Sequence, residues 1–144
     1  ENFIELLHKL IRENKLENRV ELLGRVSDDE LRVLYNKASI FVLAARDIGG
    51  NFEGFPMVFY EANACGIPVI TTSGFGSEYA IRNGHNGFVV SPDSPEAIAS
   101  AVRKILADKT IYETCRAGAL REASDHTWSK IADNILMMYY DTQK

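Results

Sequence analysis

Two glutamates, Glu53 and Glu61, stand with seven residues between them in the stretch NFEGFPMVFYEANACGIP, residues 51–68. Carboxylates accept hydrogen bonds from hydroxyl groups, so the pair suits a ligand rich in them. The stretch reads as a loop carrying Glu53 and Gly54, then a helix opened by Pro56, with Glu61 inside it and a stop at Gly66. Proline suits the first helical position because its missing N–H would have no partner there. The N–H groups of Gly54, Phe55, Met57 and Val58 then point out of the helix start, at the positive end of its dipole, where a phosphate or an oxygen-rich ligand is favoured. Glu61 sits among Val58, Tyr60, Ala62 and Ala64, a segment too apolar for an ordinary surface helix. An acid there needs a hydrogen-bond partner, and a ligand hydroxyl would serve. In a purely structural reading, Glu53 is a loop acid favouring a helix start through the dipole, and Glu61 is a surface residue.

The elements that must hold this stretch follow from periodicity. Residues 2–14 put Phe3, Leu6, Leu7, Leu10 and Ile11 on one helical stripe, with His8 beside it as a partly buried histidine rather than a ligand. VELLG at 20–24 reads as a short buried strand. SDDE at 27–30 has the form of a capping box that opens a helix with Leu31, Val33, Leu34 and Tyr35 on its apolar side. SIFVLAA at 39–45 is a continuous apolar run, the pattern of a central parallel strand covered on both faces. IPVITT at 67–72 and GFVV at 87–90 read as further buried strands, separated by a glycine-containing loop and a short helix. Ser94 caps a helix with Pro95 at its start, and two more helices cover roughly 109–123 and 127–141. Strands alternating with helices, without hairpin signals, predict an α/β doubly wound (Rossmann-like) parallel sheet. In such sheets ligands bind at the carboxyl ends of the strands, where the loops bearing Glu53 and residues 72–77 begin.

A chain of 144 residues with 46% hydrophobic and 25% charged residues is one ordinary globular domain by length. Its net charge of −4 gives no electrostatic footprint for nucleic acid or an anionic membrane. Cys65 and Cys115 have no metal-ligand spacing and fall in predicted helices, so neither a disulfide framework nor a zinc site is expected, and a reducing cytoplasm fits. No apolar run approaches the ~18 residues of a membrane-spanning helix; a peripheral association with the inner membrane through other parts of a full protein stays open.

EGFPMVFYEANACGIPVITT resembles the Glu-x7-Glu signature of retaining nucleotide-sugar glycosyltransferases of the GT-B fold, in particular glycosyltransferase family four (glycosyl transferases group 1). NRVELLGRVSDDELRVLYNKASIFVLAA, GHNGFVVSPDSPEAIASAVRKILAD and HTWSKIADNILMMYY are similar to the family's flanking segments, so the resemblance covers nearly the whole chain. It implies the C-terminal, donor-binding domain. A nucleotide-diphosphate sugar would be the donor, no metal is expected, and the product would be a glycan or a lipid-linked sugar in polysaccharide biosynthesis. Glu61 would hold the ribose, and Glu53 would meet the transferred sugar as the catalytic candidate. Gly54, Phe55, Met57 and Val58 would offer backbone N–H groups to the sugar or phosphate. Arg25 and Val26 match where the family sets the nucleoside base, or form an ordinary strand end. Glu78 lies near the sugar or caps the short helix after Gly76. Arg46 and Arg82 help a phosphate or are solvated charges. Trp128 matches a tryptophan that packs back on the family's domain, and Tyr139 and Tyr140 read as packing residues.

Three departures stand out. Ala44-Ala45 replaces the usual Pro-Ser pair at the end of the strand before the signature. Phe75 replaces the second glycine of a Gly-Gly-x-x-Glu loop, which alters how closely backbone can approach a sugar. The family's first two strands, which bring an Arg and a Lys to the diphosphate, have no counterpart, because residues 2–14 match the helix that follows them. The chain thus reads as a fragment, inactive alone, without the acceptor-binding N-terminal domain. Either VELL pairs directly with SIFVLA, or another polypeptide, such as a second copy, fills the gap. A non-catalytic scaffold or oligomerisation module with a vestigial pocket, and a fragment of a GT-B sugar-nucleotide epimerase, are the alternatives.

Overall fold

The computed structural model describes residues 2–45, 57–74, 76 and 79–141. The chain falls into two units, Glu1–Arg32 and Val33–Lys144.

In the first unit, α1 (Phe3–Glu13) is opened by a capping box in which the Asn2 side chain accepts from the Ile4 N–H and Glu5 accepts from the Asn2 N–H. Its amphipathic stripe is present, yet none of its residues is buried. His8 is exposed rather than partly buried. The expected strand at 20–24 does not form. Val20, Leu22 and Leu23 are exposed, and apolar composition alone cannot make a strand without a neighbouring backbone to receive its hydrogen bonds. The expected capping box is in place: the Ser27 N–H donates to Glu30 at 2.9 Å, and the Glu30 N–H donates to Ser27 Oγ at 3.3 Å. The Ser27 N–H, and next the Ser27 hydroxyl donating to the same carboxylate at 2.8 Å, hold the Glu30 carboxyl below its ordinary pKa, and the box opens α2 (Asp28–Lys37).

The second unit is built on a parallel sheet of β1 (Phe41–Leu43), β2 (Val69–Thr72) and β3 (Gly87–Val90), in that order. Phe41 stands opposite Val69, and Val69 opposite Gly87. Alternation along β2 divides the core between two faces. Val69 packs with Phe59, Tyr60, Ala62 and Ile67 around α3 (Val58–Ala64). Ile70 packs with Ala101 and Ile105 of α4 (Pro95–Ala107). Every β2 residue is buried, as a central parallel strand requires. VELL forms no strand, and among the described residues the strand partner of β1 is β2. Ser94 caps α4 as expected, its Oγ accepting from the Ala97 N–H at 3.2 Å.

Helix α5 (Lys109–Asp125) packs on α3 and α4, and α6 (Trp128–Asp141) follows. No residue of α6 is buried. Trp128 is 74% exposed, and Tyr139 and Tyr140 are exposed as well, ring against ring at 5.7 Å. The expected packing role of these three is therefore corrected: all three are exposed. The short helix expected after Gly76 lies mostly outside the described residues; Tyr79 is in 3₁₀ conformation, its N–H donating to the Gly76 carbonyl. Cys65 and Cys115 are both free thiols.

Candidate functional site

The signature helix is short. Residues 58–64 are helical, Met57 stands at the N-cap in αR conformation, and the first turn closes when the Tyr60 and Glu61 N–H groups donate to the Met57 carbonyl. The N–H groups of Met57 and Val58 thus come before those that donate within the helix. Pro56, expected as the first helical residue, lies outside the described residues, as do Glu53, Gly54, Phe55, Arg46 and Glu78. Helix α3 buries Phe59, Tyr60, Ala62 and Asn63, and leaves Glu61 exposed. A seven-residue helix pressed so fully into the core presents its acid outward.

Glu61 has a protein partner that the sequence did not suggest. The Tyr35 hydroxyl, from α2, donates to Glu61 Oε2 at 3.0 Å. Its ring packs on Phe41 of β1 at 5.9 Å, and Phe41 meets Phe59 edge-on at 6.2 Å. Burial, with the hydrogen bond to Glu61 next, pushes the Tyr35 phenol up to about 12. A phenol raised in the folded state contributes stability that is complete below its unfolded pKa of about 10 and is lost as pH rises through about 12. Ultraviolet titration should therefore show a tyrosine ionising near pH 12 that is missing in Tyr35→Phe. An unchanged titration curve in the variant would contradict this environment.

At the carboxyl ends of β1 and β2, Thr72 Oγ1 donates to the Ala45 carbonyl at 2.7 Å. Ala44, Ala45 and Thr72, with Asp93, Ser94, Pro95 and Ile98 at the start of α4, line an open cavity of about 410 Å³. Asp93 has φ +57 in the turn before Ser94. The cavity is at the end of the sheet where the topology places ligands, and among the described residues Met57, Val58 and Glu61 are not part of its lining. Sequence reasoning missed Thr72 and Asp93 because neither belongs to a spaced motif. The methyl side chains of Ala44 and Ala45 now form part of the wall.

Arg82 is largely in solvent, and its guanidinium pairs with the buried Glu122 carboxylate. His126 Nδ1 is 3.4 Å from the other Glu122 oxygen, and its ring packs against Tyr60 at 4.9 Å. The cluster joins α5 to the buried side of α3. Arg25 is exposed and Val26 half-buried, both in the first unit after Gly24 at φ +62.

Residues 4–121 match the family of glycosyl transferases group 1. The chain belongs to that family. D-inositol 3-phosphate glycosyltransferase 1 of Catenulispora acidiphila is 34% identical over 110 residues, covering 76% of this chain and 25% of that protein. The sucrose-phosphate synthase of Thermosynechococcus elongatus superposes with a TM-score of 0.78 at 27% identity, covering 96% of this chain and 34% of that one. The C-terminal domain of a group 1 family protein (LpcC) from Francisella tularensis superposes with a TM-score of 0.74 at 22% identity, over 86% of this chain and 62% of that one. This glycosyl transferases group 1 chain spans about a quarter of the length of the first relative and has the fold of the GT-B C-terminal domain, the family's donor-binding domain. No helix among its described residues is long and apolar enough to cross a membrane.

Proposed function

We propose that this chain forms the nucleotide-sugar site of a retaining glycosyltransferase that passes a sugar to a glycan or lipid-linked acceptor in polysaccharide biosynthesis. Glu61 takes the ribose and Glu53 the transferred sugar. The amides of Gly54, Phe55, Met57 and Val58 receive the sugar or phosphate, with Arg25 and Val26 toward the base and Glu78 toward the sugar. The observation that carries the reading is Glu61 itself. It is an exposed carboxylate on a helix that buries Phe59, Tyr60, Ala62 and Asn63, with one oxygen hydrogen-bonded to Tyr35, inside the stretch matched to the family.

The chemistry follows from charge. As the glycosidic bond breaks, negative charge grows on the departing diphosphate, and N–H groups fixed at a helix start stabilise it. Glu61, eight positions beyond Glu53, binds and does not attack. The reaction requires no metal in this reading. The enzyme works in the cytoplasm, with any membrane contact peripheral. The 144 residues alone bind donor without transferring sugar, since the acceptor site belongs to another domain.

Calorimetric titration with UDP, GDP and ADP and their sugars tests the proposal. Weak binding of one nucleotide is expected, falling by about tenfold or more in Glu61→Ala, the range for losing a charge-assisted hydrogen bond. Absence of binding by all three at millimolar concentration would favour a bare scaffold.

A further inference from the structure

We infer that Tyr35 is a positioning residue for nucleotide binding: it occupies Glu61 Oε2 and so presents Oε1 to the ribose hydroxyls. The inference rests on the reading of Glu61 as the ribose-binding acid. It starts from the contact of 3.0 Å between two side chains 26 positions apart, on different helices. An exposed glutamate is ordinarily free to sample several rotamers, and binding must then order it. Here both ends of the bond are anchored. The Tyr35 ring is braced through Phe41 to Phe59, and Phe59 is the fully buried residue two positions before Glu61 on the same helix.

The direction of the bond matters. At neutral pH, roughly three units below its ordinary pKa of about 10, the phenol is protonated. It therefore donates, and the ionised carboxylate can only accept. One oxygen is thereby occupied, and its partner is aimed and free to accept from a sugar hydroxyl. Tyr35 touches no substrate in this arrangement; it acts through Glu61.

The test uses Tyr35→Phe, which keeps the ring packing and removes only the hydroxyl, with Glu61→Gln and the double variant. Each is titrated with whichever of UDP, GDP or ADP binds the unsubstituted protein best, and with its 2′-deoxy analogue. Thermal unfolding confirms that each variant is folded. Tyr35→Phe should weaken binding of the ribonucleotide about tenfold, the scale of one side chain's ordering plus an adjusted hydrogen bond, and bind the deoxy analogue with little change. In the Glu61→Gln background the same substitution should have a much smaller effect, the coupling expected of residues acting as a unit. Equal loss for ribo- and deoxynucleotide, or undiminished loss in the double variant, would assign Tyr35 a merely structural part and overturn the inference. Unchanged binding in Tyr35→Phe while Glu61→Gln is impaired would also overturn it, leaving the ribose reading intact. Unchanged binding in Glu61→Gln would remove both.

Discussion

Gly118→Ala should destabilise the protein by about 3 kcal/mol, the upper part of the range for forcing extra volume into a packed site. Helix propensity alone predicts the opposite sign, since alanine is favoured over glycine inside a helix by ~1 kcal/mol. Gly118 is buried in the middle of α5, and a Cβ there would overlap the backbone carbonyl of His85 and crowd its ring. That carbonyl cannot easily withdraw. The His85 and Asn86 N–H groups both donate to the Arg82 carbonyl. The buried Asn86 side chain further ties the turn, accepting from the Arg82 N–H and donating to the Ala80 carbonyl, each at 2.8 Å. Urea unfolding would measure the effect, and a variant as stable as the parent would show that the helix and turn are not in such close contact.

A comparable loss is expected when Arg82 is replaced by alanine. Glu122 is 3% exposed, and without the guanidinium its buried carboxylate would lose its arginine partner. Stripping one partner from a buried ion pair costs ~3–5 kcal/mol; because Arg82 itself is largely in solvent, the lower end, about 3 kcal/mol, applies. Adding Glu122→Gln to Arg82→Ala should recover part of this loss, because the orphaned charge is gone. If the double variant is less stable than Arg82→Ala by itself, burial of an unpaired charge is not the cause.

Much of this architecture was legible in residue order. The capping box at Ser27 and the Ser94 cap depend on local chemistry and formed where they were expected. The runs at 39–45, 67–72 and 87–90 each hold a strand, though β1 lies at an edge of the described sheet with Val42 exposed, where a central strand covered on both faces was expected. VELLG failed because strand formation depends on a partner, which composition cannot supply. His8 and Trp128 failed for a related reason: an amphipathic helix announces an apolar side, but only the rest of the fold decides whether anything covers it. At the site, Glu61 could be singled out as an acid among buried neighbours. Its bond to Tyr35 could not, because 26 residues separate the two and nothing in their spacing marks them as neighbours. The same holds for Arg82 and Glu122, 40 positions apart.

The contacts that α5 makes through Gly118, Glu122 and His126 have a consequence for the order in which the domain can be completed. Helix α3 and the three described strands are synthesised before the residues that cover the back of α3. Until His126 has emerged, Tyr60 lacks the ring that packs against it, and Arg82 lacks its buried acid. The donor-binding layer is therefore closed last, by its C-terminal third. A nascent chain arrested before that point would carry the complete signature on an unfinished support, exposed to the aggregation that half-built parallel sheets invite.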